Sequence, residues 1–336
     1  MKTKKVLSLF LIVLLLFFLV TETEKVTVSV IDALKLCVSA VIPTLFPFFV
    51  VSGLLVNLGF VAVLGRVFMP VARFLFKTSG KGAVVFIIGI ICGYPTGAKV
   101  IADMCRDKSL SKKESERLLA FCNNSGPLFI IGAVGTVMLG NHKLGVVLYI
   151  IHLLSAIFTG ILLSLFAKND IAPSESEICV KDIGTAVAQS IENAVRSILN
   201  VCGYVVFFSI LCVMVKNVFL ISILEVTTGA KTLIARGFDE KIMIILLSGA
   251  IGFGGICVML QVQSAVAGTK ISLRLYILGK IIQAIISMII AFFYVNLFEV
   301  KSVFLAVNSM PEVSYMPLFI FILCGFLSLL RLTKKG

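Results

Sequence analysis

The tetrad Thr-Gly-Ala-Lys occurs twice in this chain, at Thr96–Lys99 and at Thr228–Lys231, each time beside long apolar runs. A helix that starts inside an apolar region presents unpaired backbone N–H groups and the positive end of its dipole, which together favour an anion. Gly97 and Gly229 let a ligand approach the backbone closely, and Thr96 and Thr228 offer hydroxyls for capping or binding. Lys99 and Lys231 add a cation to each copy. A charge at the centre of a bilayer costs about 2.5 to 3.5 kcal/mol. Each lysine therefore either faces a polar cavity, where the pair would suit a compact dianion, or extends its long stem to the nearest surface.

Other polar residues interrupt apolar segments. Asn123, Asn124 and Ser125 stand beside Gly126 and Pro127; in a water-lined cavity they could read the edge of a ligand, and otherwise they bond neighbouring helices. Gln261 and Gln263 follow the Gly-rich stretch GFGGI at 252–256 and fit a similar part. Glu225 precedes the second tetrad and is the candidate for binding a coupling ion, Na⁺ or H⁺. Asp103 is another, although Arg106 three residues on offers it an ion pair. His152, in an apolar run, is either a proton relay or a packing residue. No Ser-His-Asp set, metal-ligand cluster, Walker loop or GxGxxG pattern is visible, so the sequence points away from an enzyme and calls for no cofactor. The nine cysteines lack a CxxC pair or regular spacing and read as small packing residues.

The elements that position these residues follow from composition. Of 336 residues 59% are hydrophobic and 14% charged, and the mean hydropathy is +1.11, values that belong to an integral membrane protein. Several runs approach the roughly 20 residues a helix needs to cross the hydrocarbon core. The alternation expected of a barrel is missing, so the chain is expected to be all-α and polytopic. The net charge of +13 is scattered over short loops, which argues for topology rather than nucleic acid. MKTKK followed by an apolar run, without a small-x-small cleavage site, reads as an uncleaved first span with a cytoplasmic N-terminus. The segment at 82–104 is basic on both sides, so it is expected to enter and leave the membrane on the cytoplasmic face with its tip at GYPTG. The segment containing the second tetrad, broken at Thr227, Thr228 and Gly229, is expected to do the same from the outer face.

These readings give an inverted-topology repeat with two re-entrant helical hairpins. Residues 1–33 form an anchor and outer loop, 34–167 the first repeat, 168–191 a cytoplasmic linker, 192–298 the second, inverted repeat, and 299–336 a last span. In such folds, interrupted helices at matching places in the two halves point to a transport site near the midplane.

At CGYPTGAKVIADM, FCNNSGPLFIIGAVG and EVTTGAK the sequence resembles the YlbJ-type sporulation integral membrane proteins, which carry nucleoside-recognition (Gate) domains and are related to concentrative nucleoside transporters. The resemblance implies a protein of endospore-forming bacteria, in the outer forespore membrane, associated with movement of dipicolinic acid from mother cell to forespore. Dipicolinate, a small aromatic dicarboxylate, suits a two-cation site. The expected partners are thus a small anionic substrate, a coupling ion and membrane lipid, with a homo-oligomer allowed. A nucleoside carrier and a non-transporting scaffold for spore assembly are the alternatives. The first tip lacks the acidic residue that the nucleoside transporters use.

Overall fold

The computed structural model describes residues 2–167 and 182–298, and every regular element among them is helical. The first half contains α1 (Lys2–Thr21), α2 (Thr23–Leu36), a π-helical turn (Cys37–Val41), α3 (Ile42–Asn57), α4 (Phe60–Phe76), α5 (Gly80–Cys92), α6 (Thr96–Arg106), α7 (Lys112–Cys122), a π-helical segment (Leu128–Met138) and α8 (His142–Leu165). The second contains α9 (Ile183–Val213), α10 (Val218–Leu224), α11 (Val226–Ala235), α12 (Glu240–Phe253), α13 (Gly255–Ala265) and α14 (Arg274–Leu297). The expected last span at 299–336 and residues 168–181 of the expected linker lie outside the described residues.

Local chemistry sets the helix boundaries. Side-chain oxygens of Ser79, Ser111, Asn141, Asp182, Asn217 and Asp239 accept from backbone N–H groups in the first turns of α5, α7, α8, α9, α10 and α12. The Asp182 cap, accepting from Thr185 N at 3.0 Å, starts α9 well inside the stretch expected to be a linker. Residues 183–191, uncharged and with Ala186 and Ser190 buried, continue the helix from that cap. Gly254 and Gly255, with φ of 81° and 86°, separate α12 from α13 in a conformation that other residues adopt at a cost.

Among the described residues, four helical stretches are long and apolar enough to cross a membrane: His142–Leu165, Ile183–Val213, Glu240–Ala265 and Arg274–Leu297. A fifth is available if Gly65–Phe76 and Gly80–Cys92, bent by 91° at their junction, count as one. The apolar runs at about 145–167, 196–216, 241–268 and 275–298, each long enough in sequence to be expected to cross, coincide with the first four. α14 shows what solvent these helices face. Its Tyr276, Lys280, Gln283 and Ser287 are buried, whereas Ile281, Ile285, Ile289 and Phe293 are exposed. A helix with its polar stripe inside and its apolar side outside is made for lipid.

The main core joins α5–α8 with α11–α14, and α14 packs on α7, α8 and α12. A smaller core of Cys37, Val41, Phe49, Ala194, Ile198, Val201 and Val205 seats the π-helical turn and α3 against α9. Three loop regions meet at one end of the bundle. Arg117 Nη2 donates to Lys77 O (2.7 Å), Thr78 Oγ1 to Glu114 Oε1 (2.6 Å), Arg106 Nη2 to Ala267 O (2.8 Å) and Ser272 N to Glu116 Oε1 (2.8 Å).

Candidate functional site

Two pairs of helices fold back sharply, and each pair contains one tetrad. In the first, α5 stops at Cys92 and α6 starts at Thr96, which leaves Gly93, Tyr94 and Pro95 as the tip. In the second, α10 stops at Leu224 and α11 starts at Val226, so the break falls at Glu225 and the tetrad lies within the helix. That differs from the expected break at Thr227–Gly229. The cause is Glu225 itself, which caps α11 by accepting from Thr227 N (2.8 Å) and Thr228 N (2.5 Å).

The tetrad glycines are packed by the chain's own backbone. A Cβ on Gly97 would stand 2.9 Å from Cys122 O and 3.4 Å from Gly89 Cα, across the first hairpin. A Cβ on Gly229 would meet Ser222 Cα, across the second. The close approach these glycines permit is therefore that of the chain to itself, α6 to the end of α7 and to α5 at Gly97 and α11 to α10 at Gly229.

Each tip rests on a broken helix. Between α7 and the π-helical segment, residues 123–126 are not helical, and a Cβ on Gly93 would be 2.7 Å from Gly126 N. At the junction of α12 and α13, a Cβ on Gly255 would be 3.2 Å from Val226 N and 3.3 Å from Leu224 O. The two tips and the first break line one cleft, together with the part of α13 that follows the second break. Gly93, Tyr94, Gly126 and Phe129 come from the first half, and Glu225, Val226, Thr227, Val258 and Gln261 from the second. Val41, Leu45, Val201 and Val205 of the smaller core close its apolar wall. Its internal volume is ≈ 30 Å³, room for roughly two waters.

Behind the first break lies a polar network that the sequence reading passed over. Lys280, 3% exposed, donates to Asn124 Oδ1 (3.2 Å) and Gln283 Oε1 (2.8 Å), and its Nζ lies 5.9 Å from the centre of the Tyr276 ring. Gln283 Nε2 also donates to Asn124 Oδ1 (2.9 Å), and Asn124 Nδ2 to Phe121 O (2.7 Å). Asn123 Nδ2 donates to Tyr276 Oη (3.3 Å). His152 Nε2 accepts from Ser125 N (3.1 Å), which satisfies one donor freed by the break. Asn123 Oδ1 and His152 Nδ1 are among the buried atoms of this region that have no hydrogen-bond partner. The signal that could have found Lys280 is the spacing of Tyr276, Lys280, Gln283 and Ser287, which puts four polar side chains on one face of an apolar helix.

The other candidates are dispersed. Lys99 Nζ donates to Asn193 Oδ1 of α9 at 3.4 Å, Lys231 and Gln263 are exposed, and Thr96 and Thr228 are half-buried; none of these five lines the cleft. Asn123, Asn124 and Ser125 are buried just behind it. Gln261 lines it, donating to Cys257 Sγ at 3.5 Å while its Oε1 is buried without a partner. Asp103 pairs with Arg106 at 2.7 Å, and no group of three metal-ligating side chains occurs among the described residues.

This arrangement of a hairpin against a broken helix is where the comparisons with known proteins fall. Residues 38–141 match the Gate family, described as nucleoside recognition. The Gate match contains the first hairpin and the first break, and ends at Asn141, the cap of α8. Over 294 residues the chain is 28% identical to the sporulation integral membrane protein YlbJ of Bacillus subtilis (strain 168), which covers 73% of this chain and 71% of that protein. The resemblance read from the sequence therefore holds across most of the chain. No solved structure matches.

Proposed function

We propose that the chain is a membrane transporter whose solute passes through the cleft where the two hairpin tips meet the two broken helices. The observation that carries this reading is that both hairpin tips and the first break line one cleft, while the second break packs on the tip at Glu225. Interrupted backbone is tolerated at membrane depth only where protein or a polar cavity satisfies it. The matched contacts, Gly93 on Gly126 and Gly255 on Glu225–Val226, support an inverted repeat in which both hairpins re-enter the membrane. The cleft is too small for a ring-sized solute as it stands. On this reading it is a closed state, and one half must move relative to the other for a solute to enter.

The proposed solute is a small anion, with dipicolinate as the first probe, moved towards the forespore during sporulation. Glu225 takes the part of the coupling-ion site, because it lines the cleft and its charge is offset by the N-terminus of α11. A second reading, transport of a nucleoside, is favoured by the Glu225 carboxylate and the Gln261 amide beside the rings of Tyr94 and Phe129. These groups suit the hydroxyls and base of an uncharged ligand.

Purified protein in proteoliposomes separates the two. Tracer dipicolinate and tracer uridine are offered in parallel, with and without Na⁺ and pH gradients. Dipicolinate uptake that cold uridine does not inhibit is the expected result. Uridine uptake alone selects the nucleoside reading, and no uptake of either removes the proposal in favour of a scaffold.

A further inference from the structure

Lys280 is a buried amine with only neutral partners. Its two hydrogen bonds go to amide oxygens, of Asn124 and Gln283, and its third donor lies over the Tyr276 ring. Among the described residues no carboxylate forms an ion pair with it, and the acid nearest in function, Glu225, spends both oxygens on capping α11. A buried cation left without an anion is expensive, and an intramembrane ionisable residue that persists is by default part of a functional site. The site also has a donor that the protein does not use, since His152 Nδ1, which carries the ring proton while Nε2 accepts from Ser125 N, is buried and unpartnered. It lies directly behind the first break: Asn124, which holds the amine, is two residues from Gly126 in the cleft wall.

We propose that Lys280 is the fixed positive charge that recognises a carboxylate of the solute, which reaches it when residues 123–126 move aside. Asn124 and Gln283 hold the amine in place until the solute replaces one of them. This assignment rests on the transport reading for its route of access, and it narrows the solute class to small carboxylates.

The test uses the full chain, purified, with three variants. Lys280→Gln removes the charge, Lys280→Arg keeps it, and Gln283→Glu leaves the amine intact while giving it a carboxylate at the position of an existing 2.8 Å contact. The last is close to isosteric, so it guards against a variant that merely misfolds. Two readouts are taken: the shift of the thermal unfolding midpoint on adding dipicolinate or benzoate, and tracer flux in proteoliposomes.

The expected result is an anion-induced shift in wild type. That shift and the dipicolinate flux should fall on the order of tenfold or more in Lys280→Gln and Gln283→Glu, with partial retention in Lys280→Arg. Full retention of the shift in Gln283→Glu overturns the assignment, as does a wild-type protein that neither anion stabilises, whether or not uridine crosses. A lysine-dependent shift without any flux keeps the Lys280 site and removes the transport reading instead.

Discussion

At the scale of single residues, the described chain assigns its ionisable groups differently from their positions in sequence. Lys99 and Lys231 share a motif, yet one contacts α9 through Asn193 and the other is exposed, while Lys280, in no motif, is the buried one. Its partner Asn124 is 156 residues away, and a contact at that separation leaves no mark in a single sequence. The polar stripe on α14 was legible; its destination was not. Glu225 was singled out for its position before the second tetrad, but its capping role depends on where α10 ends. That role gives a prediction separate from transport. Glu225→Ala strips the acceptor from two N–H groups at the start of α11, and loss of such a cap costs about 1 to 2 kcal/mol. Thermal unfolding in detergent should show a lower midpoint for Glu225→Ala than for Glu225→Gln, which keeps one acceptor oxygen. Equal midpoints would mean that α11 does not need the cap.

At the scale of elements, the interruptions were the most readable features, because glycine, proline and short polar side chains break apolar periodicity wherever they occur. GYPTG, NNSGP and GFGG all fall at observed breaks, whereas the fourth break falls at Glu225, where the residues themselves are ordinary helix formers. Packing of the hairpin arms on their neighbours was not readable, since it depends on which glycine faces which backbone. The structure names those glycines, and their substitution should separate cleanly. A Cβ on Gly89 would run into the carbonyl oxygen of Cys122, and one on Gly229 into the backbone of Ser222, so neither neighbour can rotate away. Gly89→Ala and Gly229→Ala should each destabilise by about 1 to 3 kcal/mol, the usual cost of overpacking. Gly203, exposed inside α9 with nothing within 4 Å of its would-be Cβ, provides the contrast. Gly203→Ala should raise stability by about 0.5 to 1 kcal/mol through helix propensity alone. Midpoints of unfolding for the three variants, measured side by side, check both signs.

At the scale of the whole molecule, the argument is about which end faces the cytoplasm. The end where residues 77–79, 106–117 and 267–272 are tied together carries Lys77, Arg106, Lys108, Lys112, Lys113, Arg117 and Lys270. These stretches are far apart in sequence; the charge pattern assigns the first two, which flank the 82–104 segment, to the cytoplasmic side, and the contacts bring the third to them. Short loops rich in lysine and arginine stay inside, so this end should be cytoplasmic. The proposed inverted repeat adds a sharper requirement: the loop after α11 must lie on the opposite side, with the turn before α8. Single cysteines in place of Lys112, Lys270, Lys143 and Arg236, all exposed, report on this with a membrane-impermeant thiol reagent applied to intact cells, read against the native cysteines. Lys143→Cys and Arg236→Cys should label from outside, and Lys112→Cys and Lys270→Cys only after the membrane is opened. If Arg236→Cys behaves like Lys112→Cys, both hairpins approach from the same face. The two halves would then not be inverted, and alternating access about a pseudo-twofold axis would lose its structural basis even if the cleft still binds a solute.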